Sequence, residues 1–179
     1  MRTIITVFCL ISFSRILYGD SPAPPQTYAL ASMEREMMFI MITDYGEEDA
    51  IEIHGKVYTK SGMYRINDEP ELVWTSDYKD SVLLSKYGEY QVEPGGWANS
   101  FLENGIAFYK QGKLLKSYPI NDLVFDEESV SLTVSHFFWR KDTKFFPDKN
   151  QYYLETVENN QYLFELIIDH KMRKYLNKE

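Results

Sequence analysis

The sequence predicts a mainly β protein, an antiparallel meander of hairpins with at most short helical turns, in a sandwich-like or propeller-fragment-like arrangement. Aromatic residues make up 16% of the chain, with 14 Tyr and 11 Phe, and such side chains are enriched in strands. Short runs in which polar and apolar residues alternate are separated by turns that contain Gly or Asn. The clearest example is residues 104–118, where two runs flank Gln111-Gly112.

The N-terminal residues 1–19 have the layout of a secretory signal peptide. Arg2 gives a basic start, residues 4–13 are apolar, and the segment ends at the small Gly19. The apolar stretch is shorter than the roughly 18 residues of a membrane-spanning helix. A buried N-terminal helix is the alternative. We therefore expect a periplasmic or secreted protein, with no membrane insertion after removal of the signal.

Composition excludes several functional classes. The single cysteine, Cys9, lies inside the signal peptide, so the exported chain would have no disulfide, no thiol nucleophile and no cysteine metal site. The formal net charge is −8, and it becomes more negative when Arg2 and Arg15 leave with the signal. This charge argues against nucleic acid as a partner and against binding to an anionic membrane by charge.

The exported chain begins with a Pro-rich leader, residues 20–27, which we expect to be extended. A single β-rich domain follows at residues 28–179, and residues 28–32 are its first strand. Residues 37–43, MMFIMIT, are the most apolar run and predict a central strand buried on both faces. A helix that begins at Ser32 and carries its methionines on one face is the alternative.

Residues 44–49, DYGEED, form an acidic loop. Carboxylates at close spacing suit Ca²⁺. The alternating Asp/Asn ligands of a helix–loop–helix calcium site are missing from this stretch, so a solvated loop is the prediction.

A short unit recurs beyond this loop. Residues 60–66 and 86–92 share the pattern Lys-x-Gly-x-Tyr-x-Ile/Val, which predicts a Gly turn and then a strand with a Tyr and a branched residue on one face. Residues 148–154 are a looser copy with Asn150 in the place of the Gly, and residues 158–161 form a further turn. The irregular spacing excludes a solenoid and indicates a meander of hairpins.

The register of the hairpin at residues 104–118 depends on its turn. Gln111 has a Cβ and disfavours positive φ, which the following Gly accepts. We therefore expect a three-residue loop closed by a bulge, which leaves Lys113 opposite Tyr109. A two-residue type I′ turn would place Lys110 opposite Lys113, an unfavourable like-charge pair.

Shorter patterns predict the other elements of the domain. They are a strand at residues 71–74, a polar connection at 75–79, a loop at 93–100 with Trp97, a helical turn at 119–124 capped by Asn121, a strand at 131–139, and an edge strand at 172–175 or a frayed helix. Together they complete the predicted meander.

The histidines do not form a recognisable catalytic motif. His54, His136 and His170 are widely separated, whereas zinc sites usually draw on His at short spacing. His136 could act as a general base towards a nearby hydroxyl, that of Ser131, Thr133 or Ser135. Alternation along a strand would put His136 on the face opposite these hydroxyls, so we expect a histidine hydrogen-bonded to a loop carbonyl.

Other catalytic patterns are weak or missing in the sequence. Neither a Gly-x-Ser-x-Gly nucleophile elbow nor a phosphate-binding Gly loop occurs. Paired carboxylates serve glycoside hydrolases, but pairs are unavoidable among 27 acidic residues. The carboxylates considered are Glu52, Glu69, Glu71 and Glu103.

The three tryptophans, Trp74, Trp97 and Trp139, could form an aromatic platform for a glycan or a peptide. Trp97 lies in a Gly-rich loop, and we expect it to be the most exposed of the three. The alternative is that Trp97 is a lid over one end of the core.

Several segments taken together resemble a group of uncharacterised exported bacterial proteins built of β-hairpins. These segments are residues 83–92, 105–124, 131–139 and 152–169, and they cover most of the predicted domain. The resemblance implies export and the hairpin architecture, and it implies no activity, cofactor or catalytic residue.

The sequence thus predicts an exported, non-catalytic domain that binds an unknown protein or a small ligand, with Trp97 and His136 as candidate ligand-binding residues and no metal or cofactor. A small periplasmic hydrolase that uses His136 and a distant acid is the alternative. Self-association through an exposed edge strand is a third possibility.

Overall fold

The computed structural model describes residues 22–34, 36–45, 50–133, 136–167 and, as backbone, 172–175. Within these residues the chain forms three four-stranded antiparallel sheets, one after another along the sequence, and two short two-stranded hairpins. The predicted mainly β meander is confirmed. The predicted signal peptide, residues 46–49 of the acidic loop and His170 lie outside the described residues.

Sheet I is built from the N-terminal strands, in the order β1-β2-β5-β6. Phe39, Ile40 and Met41 on β2 are fully buried, because β2 lies between two strands and is covered on both faces. The predicted central strand is confirmed, and the alternative helix is wrong. The strands are β1 (Tyr28–Ala31), β2 (Met37–Met41), the inserted hairpin β3 (Ile51–Ile53) and β4 (Lys56–Tyr58), β5 (Gly62–Arg65) and β6 (Glu71–Thr75).

Sheets II and III are simple meanders, ordered β10-β9-β8-β7 and β13-β14-β15-β16. Sheet II comprises β7 (Leu83–Leu84), β8 (Tyr90–Pro94), β9 (Asn104–Lys110) and β10 (Lys113–Pro119). Sheet III comprises β13 (Arg140–Phe146), β14 (Gln151–Thr156), β15 (Gln161–Glu165) and β16 (Met172–Tyr175). Between them lie helical turns at Ile120–Asp122 and Glu127–Ser129 and a hairpin of β11 (Ser131–Leu132) and β12 (Phe137–Phe138).

Sheet II is the middle layer, and its two faces contribute to different cores. On one face, Phe108 contacts Tyr118 of its own sheet and Tyr152 and Phe164 of sheet III, with ring centroids 4.9 to 6.5 Å apart. On the other face, Leu84 packs against a cluster centred on Phe39. The outer face of sheet I forms a third cluster, in which the β3–β4 hairpin takes part.

One lysine connects all three sheets. Lys86 lies in the turn between β7 and β8, and its Nζ is 2.8 Å from Glu34 Oε1 in the β1–β2 connection. The same Nζ lies 3.9 Å from Asp148 Oδ1, beside the β13–β14 turn. The backbone N–H of Lys86 also donates to the Pro147 carbonyl at 3.3 Å. The ends of the three sheets are thereby held side by side.

The β9–β10 hairpin has the two-residue turn, so the predicted three-residue loop is wrong. Gln111 and Gly112 have φ of 50° and 77°, as a type I′ turn requires at both central positions. Lys113 therefore pairs with Lys110, and Leu114 pairs with Tyr109. The bulge lies further along, between Leu114 and Lys116.

Contacts to β8 explain why this register is tolerated. The Lys110 ammonium lies 3.0 Å from Glu89 Oε1 and 5.3 Å from the centroid of the Tyr90 ring, which offsets the repulsion from Lys113. The Gln111 N–H donates to the Glu89 carbonyl at 2.9 Å. The turn is thus held by its contact with the residues at the start of β8. This contact outweighs the tendency of Gln111 to avoid positive φ.

The recurring unit has different structures in its copies. Gly88 and Asn150 have φ of 73° and 51° and lie in turns, as predicted. Gly62 instead begins β5, where a Cβ would lie 2.1 Å from the Trp74 carbonyl oxygen. Gly62 therefore allows the backbones of β5 and β6 to approach each other closely. Ile66, the branched residue of the same copy, is exposed. The turn at residues 158–161 is confirmed.

Two further predictions need correction. The helical turn at Ile120–Asp122 follows Pro119 and has no side-chain cap, so Asn121 lies inside the turn and does not cap it. The predicted strand at residues 131–139 is instead the β11–β12 hairpin, because the chain reverses between Thr133 and His136. At the tail, where the sequence left an edge strand and a frayed helix open, Met172–Tyr175 forms an edge strand.

The outer strands of sheets II and III carry many basic side chains. On β10 these are Lys113 and Lys116, both exposed, and the strand ends at Pro119. On β13 they are Arg140, Lys141 and Lys144. Lysine and proline on edge strands disfavour the addition of a further strand.

Candidate functional site

A groove of about 500 Å³ lies where the leader, the connection after β6 and the Trp97 loop meet. The Tyr28, Tyr78 and Trp97 rings and the Asp80 carboxylate are its main chemical features. The leader contributes Pro22, Ala23, Pro24 and Gln26, β1 adds Leu30, and Ser81, Val82 and Gly96 complete the lining.

The leader is extended but docked on the domain. The Gln26 N–H donates to the Tyr78 hydroxyl at 2.9 Å, and this hydroxyl also lies 3.4 Å from the Gln26 carbonyl oxygen. The prolines that precede Gln26 form one wall of the groove. The leader is therefore part of the candidate site.

Trp97 is positioned by the backbone of the loop that follows β8. The Gly95 N–H donates to the Gly105 carbonyl at 2.9 Å, and a Cβ on Gly95 would lie 2.1 Å from the Asn104 carbonyl oxygen. Only Gly fits at this position. Trp97 follows two residues later and is half-buried; it lines the groove and contacts His136.

Trp97 and His136, the two predicted ligand-binding residues, are in contact. Their ring centroids lie 4.2 Å apart at an interplanar angle of 44°. Only Trp97 is among the groove-lining residues that the structure describes. The structure thus brings the pair together, with Trp97 in the groove lining and His136 in contact with it.

The expectation that His136 and Thr133 point to opposite faces is wrong. Thr133 Oγ1 lies 2.8 Å from His136 Nδ1, because the two residues close the β11–β12 turn. The Thr133 hydroxyl also accepts the His136 backbone N–H at 3.1 Å and lies 2.9 Å from the His136 carbonyl oxygen. These short contacts tie the hydroxyl to the turn.

A buried polar cluster lies behind the groove. Lys79 is 4% exposed, and its ammonium donates to Ser76 Oγ and to the Asp77 carbonyl, both at 3.1 Å. The ammonium also lies 4.3 Å from the centroid of the Tyr109 ring. The Tyr109 hydroxyl donates to Glu93 Oε2 at 2.6 Å. The cluster joins the connection after β6 to the middle sheet.

Tyr28 connects this cluster to the groove. Its hydroxyl donates to the Lys79 carbonyl at 2.9 Å while its ring lines the groove. Burial, with smaller contributions from Tyr78, Glu93 and Asp80, raises the pKa of Tyr28 well above its usual range. The hydroxyl therefore stays neutral and keeps its donor proton.

Burial also shifts the pKa of the residues around Lys79. It lowers the pKa of the Lys79 ammonium, against the opposing effect of Glu93 and Asp77. It raises the pKa of Tyr109, together with the hydrogen bond to Glu93. The buried cation is thus stabilised by the negative charges of Glu93 and Asp77, and its hydrogen bonds and its contact with the Tyr109 ring add to this.

Gln91 lies on the same face of sheet II as Tyr109, with which it pairs. It is fully buried. Neither its amide nitrogen nor its amide oxygen has a hydrogen-bond partner among the described residues. An unpaired buried amide destabilises the fold.

None of the other described residues considered from the sequence lines the groove. Trp139 is buried in the core between sheets II and III, and Trp74 packs on Phe39 at a centroid distance of 5.8 Å, so the three tryptophans form no common platform. Glu71 pairs with Arg65 at 2.9 Å on the surface, and Glu103 accepts the Asn99 N–H at 3.2 Å.

Sequence reasoning missed Tyr28, Tyr78 and Asp80 as site residues. It placed Tyr28 in a strand and Tyr78 in a polar connection, where neither aromatic residue stands out among 14 tyrosines. The sequence signal for this site was an aromatic and an acidic residue, Tyr78 and Asp80, which lie two positions apart shortly after a strand. Only the packing of sheet I on sheet II shows that they face Trp97.

Among the described residues, no group of three or more His, Cys, Asp or Glu side chains could hold a metal ion. In the same part of the chain, no helix has the length and apolar character to cross a bilayer.

Comparison of the sequence with protein-family models and with curated proteins finds no match.

Proposed function

We propose that this protein is an exported β-domain that binds a small ligand, or a side chain of a partner, in the groove between the leader and Trp97, without catalysing a reaction. The observation that carries the proposal is the convergence of three aromatic rings and one carboxylate on a groove of about 500 Å³. Mostly apolar pockets with a few fixed polar groups are typical of ligand sites.

Contacts to neighbouring residues hold each ring in place. Trp97 rests on His136, the Tyr78 hydroxyl bonds to the leader, and the Tyr28 hydroxyl bonds to the Lys79 carbonyl. Rings held in this way lose little conformational entropy when a ligand binds, which favours affinity.

Ligand screening by NMR tests the proposal. The probes are a set of small amines, alcohols, carboxylates and oligosaccharides, and the readout is the Trp97 indole N–H signal. We expect hits to shift this signal in the wild type and, when the ligand's own NMR signals are followed, to lose most of their affinity in Trp97→Ala. Tyr87→Ala is the control, because Tyr87 is 66% exposed and lies outside the groove. Hits that map away from Trp97, or no hits at all, would overturn the proposal.

A small hydrolase is the second candidate, favoured by the 2.8 Å contact between Thr133 Oγ1 and His136 Nδ1. The additional contacts of this hydroxyl to the His136 backbone oppose a role as nucleophile. We expect no turnover of ester, peptide or glycoside substrates. Turnover that disappears in a folded His136→Ala variant would replace the binding function with the hydrolase.

We also propose that residues 1–19 direct export to the periplasm or the medium. The basic start and the apolar run at residues 4–13 support this proposal. Expression of the full chain in a Gram-negative bacterium should give a periplasmic or secreted product whose N-terminal residue is Asp20. A cytoplasmic product that retains Met1 would refute export.

A further inference from the structure

The formal charge in the described lining of the groove is negative. Among its described lining residues, Asp80 is the one with a formal charge. Lys79, which precedes Asp80 in the chain, is buried, and its ammonium donates to Ser76 Oγ and to the Asp77 carbonyl. No basic group from this cluster is therefore presented to a ligand.

The Asp80 carboxylate faces the Trp97 loop. Its Oδ2 lies 3.9 Å from the position that a Cβ on Gly96 would take, so carboxylate and tryptophan border the same space. Further acids act on the tyrosines of the groove: Glu93 and Asp80 disfavour ionisation of Tyr28, and Asp80 and Asp44 disfavour ionisation of Tyr78. Acidic groups thus act, in addition to burial, on two of the three rings of the groove.

Aromatic faces add to this preference. The face of an aromatic ring carries partial negative charge and attracts cations within about 6 Å of the ring centroid. Three rings together with a carboxylate disfavour an anion and favour a cation with an apolar body. Leu30 and Val82 provide apolar surface for such a body.

We propose that the groove binds an organic ammonium cation, with its apolar part against Trp97 and its charge next to Asp80. This inference rests on the proposed function, whose ligand class it specifies. A free small amine and the side chain of a lysine in a partner share this chemistry, and the experiment separates the two sources.

The test compares probes of equal shape and different charge. Choline, neutral 3,3-dimethyl-1-butanol and anionic 3,3-dimethylbutyrate are titrated into the exported chain while the Trp97 indole signal is followed. We expect choline to bind about tenfold more tightly than the neutral alcohol, and the anion to bind most weakly. Equal binding of choline and the alcohol would overturn the cation inference, although the Trp97 groove would still be a ligand site.

Asp80→Asn keeps the side-chain shape and removes the charge. We expect it to abolish most of the preference for choline and to leave binding of the neutral alcohol unchanged. Asp68→Asn is the matched control, because Asp68 is also an exposed acid outside the groove. A preference that persists in Asp80→Asn would contradict the assigned role. Failure of every probe to shift the Trp97 signal would overturn the cation inference, whereas the proposed function fails only if the wider screen gives no hit at Trp97.

A fourth probe identifies the source of the cation. Nα-acetyl-lysinamide is compared with its neutral norleucine analogue at the same groove. Tighter binding of the lysine probe supports a side chain of a protein partner as the ligand. Preference for choline alone supports a free quaternary ammonium compound.

Discussion

At the scale of single residues, burial sets the chemistry of the tyrosines. Tyr162 is fully buried between sheets II and III, and its hydroxyl donates to the Leu123 carbonyl at 2.7 Å. Burial, with a smaller effect of Glu158, raises the pKa of Tyr162 to about 12. The phenol is therefore a structural hydrogen-bond donor at all pH values below its raised pKa.

Because the pKa of Tyr162 is raised in the folded state, the protein loses stability as the pH becomes alkaline. The unfolded chain releases this proton near pH 10.0 and the folded chain near pH 12, so the contribution of Tyr162 is complete below pH 10 and is lost as pH rises to 12. The difference corresponds to about 2–3 kcal/mol.

We expect the Tyr162→Phe variant to be about 1–2 kcal/mol less stable at pH 8 and to lose less stability between pH 8 and pH 11 than the wild type. Urea unfolding at the two pH values measures both effects. Tyr87→Phe, at an exposed position, should behave like the wild type. Equal pH slopes for Tyr162→Phe and the wild type would refute the assignment.

The buried amide of Gln91 gives a second prediction. Gln91→Met keeps a similar length and removes the two polar atoms that have no partner among the described residues. We expect the free energy of unfolding to increase by about 1–3 kcal/mol, measured by urea unfolding. Gln161→Met, on a half-buried position of β15, is the control and should change stability little. A large loss of stability in Gln91→Met would mean that the amide is hydrogen-bonded in solution.

At the scale of elements, two hairpin turns have the same backbone and different surroundings. His54-Gly55 and Gln111-Gly112 both have positive φ at both residues. A Cβ on Gly55 would meet no atom within 4 Å, whereas a Cβ on Gly112 would lie 2.2 Å from the Thr75 carbonyl oxygen. The second turn is thus fitted against sheet I.

Substitution of both glycines separates conformational cost from packing cost. We expect Gly55→Ala to destabilise by about 1 kcal/mol, from its positive φ alone. Gly112→Ala should cost at least about 2 kcal/mol more, because sheet I must move away from the turn. Thermal and urea unfolding of the two variants measure the difference. Similar losses would show that sheets I and II do not meet at Gly112.

Elements whose signals are local could be predicted from the sequence. The β2 strand followed from its continuous apolar run, and the turns at Gly88 and Asn150 followed from residue types that accept positive φ. The register at Gln111 could not be predicted, because it depends on a contact to Glu89, which lies just before β8 and is distant in sequence. The same holds for the site: the Gly-rich loop indicated Trp97, but Tyr78 and Asp80 join it only through the packing of two sheets.

At the scale of the whole molecule, sheet II couples its neighbours. It contributes Phe108 to the core shared with sheet III and Leu84 to the cluster shared with sheet I. A layer that belongs to two cores cannot lose one neighbour without exposing apolar surface. We therefore expect the three sheets to unfold together.

Hydrogen exchange tests this cooperativity. The slowest amides of β2 in sheet I and of β14 in sheet III should report the same free energy of opening, equal to that of global unfolding. Phe108→Ala removes a fully buried ring with contacts to Tyr152 and Phe164, and we expect it to lower both values by about 3–5 kcal/mol. Unchanged protection of β2 in this variant would show that sheet I unfolds independently.

The basic side chains on the outer strands have a consequence for solubility. Three sheets that do not close on themselves expose unpaired backbone groups at their outer strands, and at high concentration such strands can template growth from molecule to molecule. On β10 and β13 an incoming strand would meet several lysines, whereas at β6 the Thr75 carbonyl is already covered by the Gly112 turn. Neutral substitutions at Lys113, Lys116 or Lys144 would therefore promote polymerisation while the melting temperature stays the same.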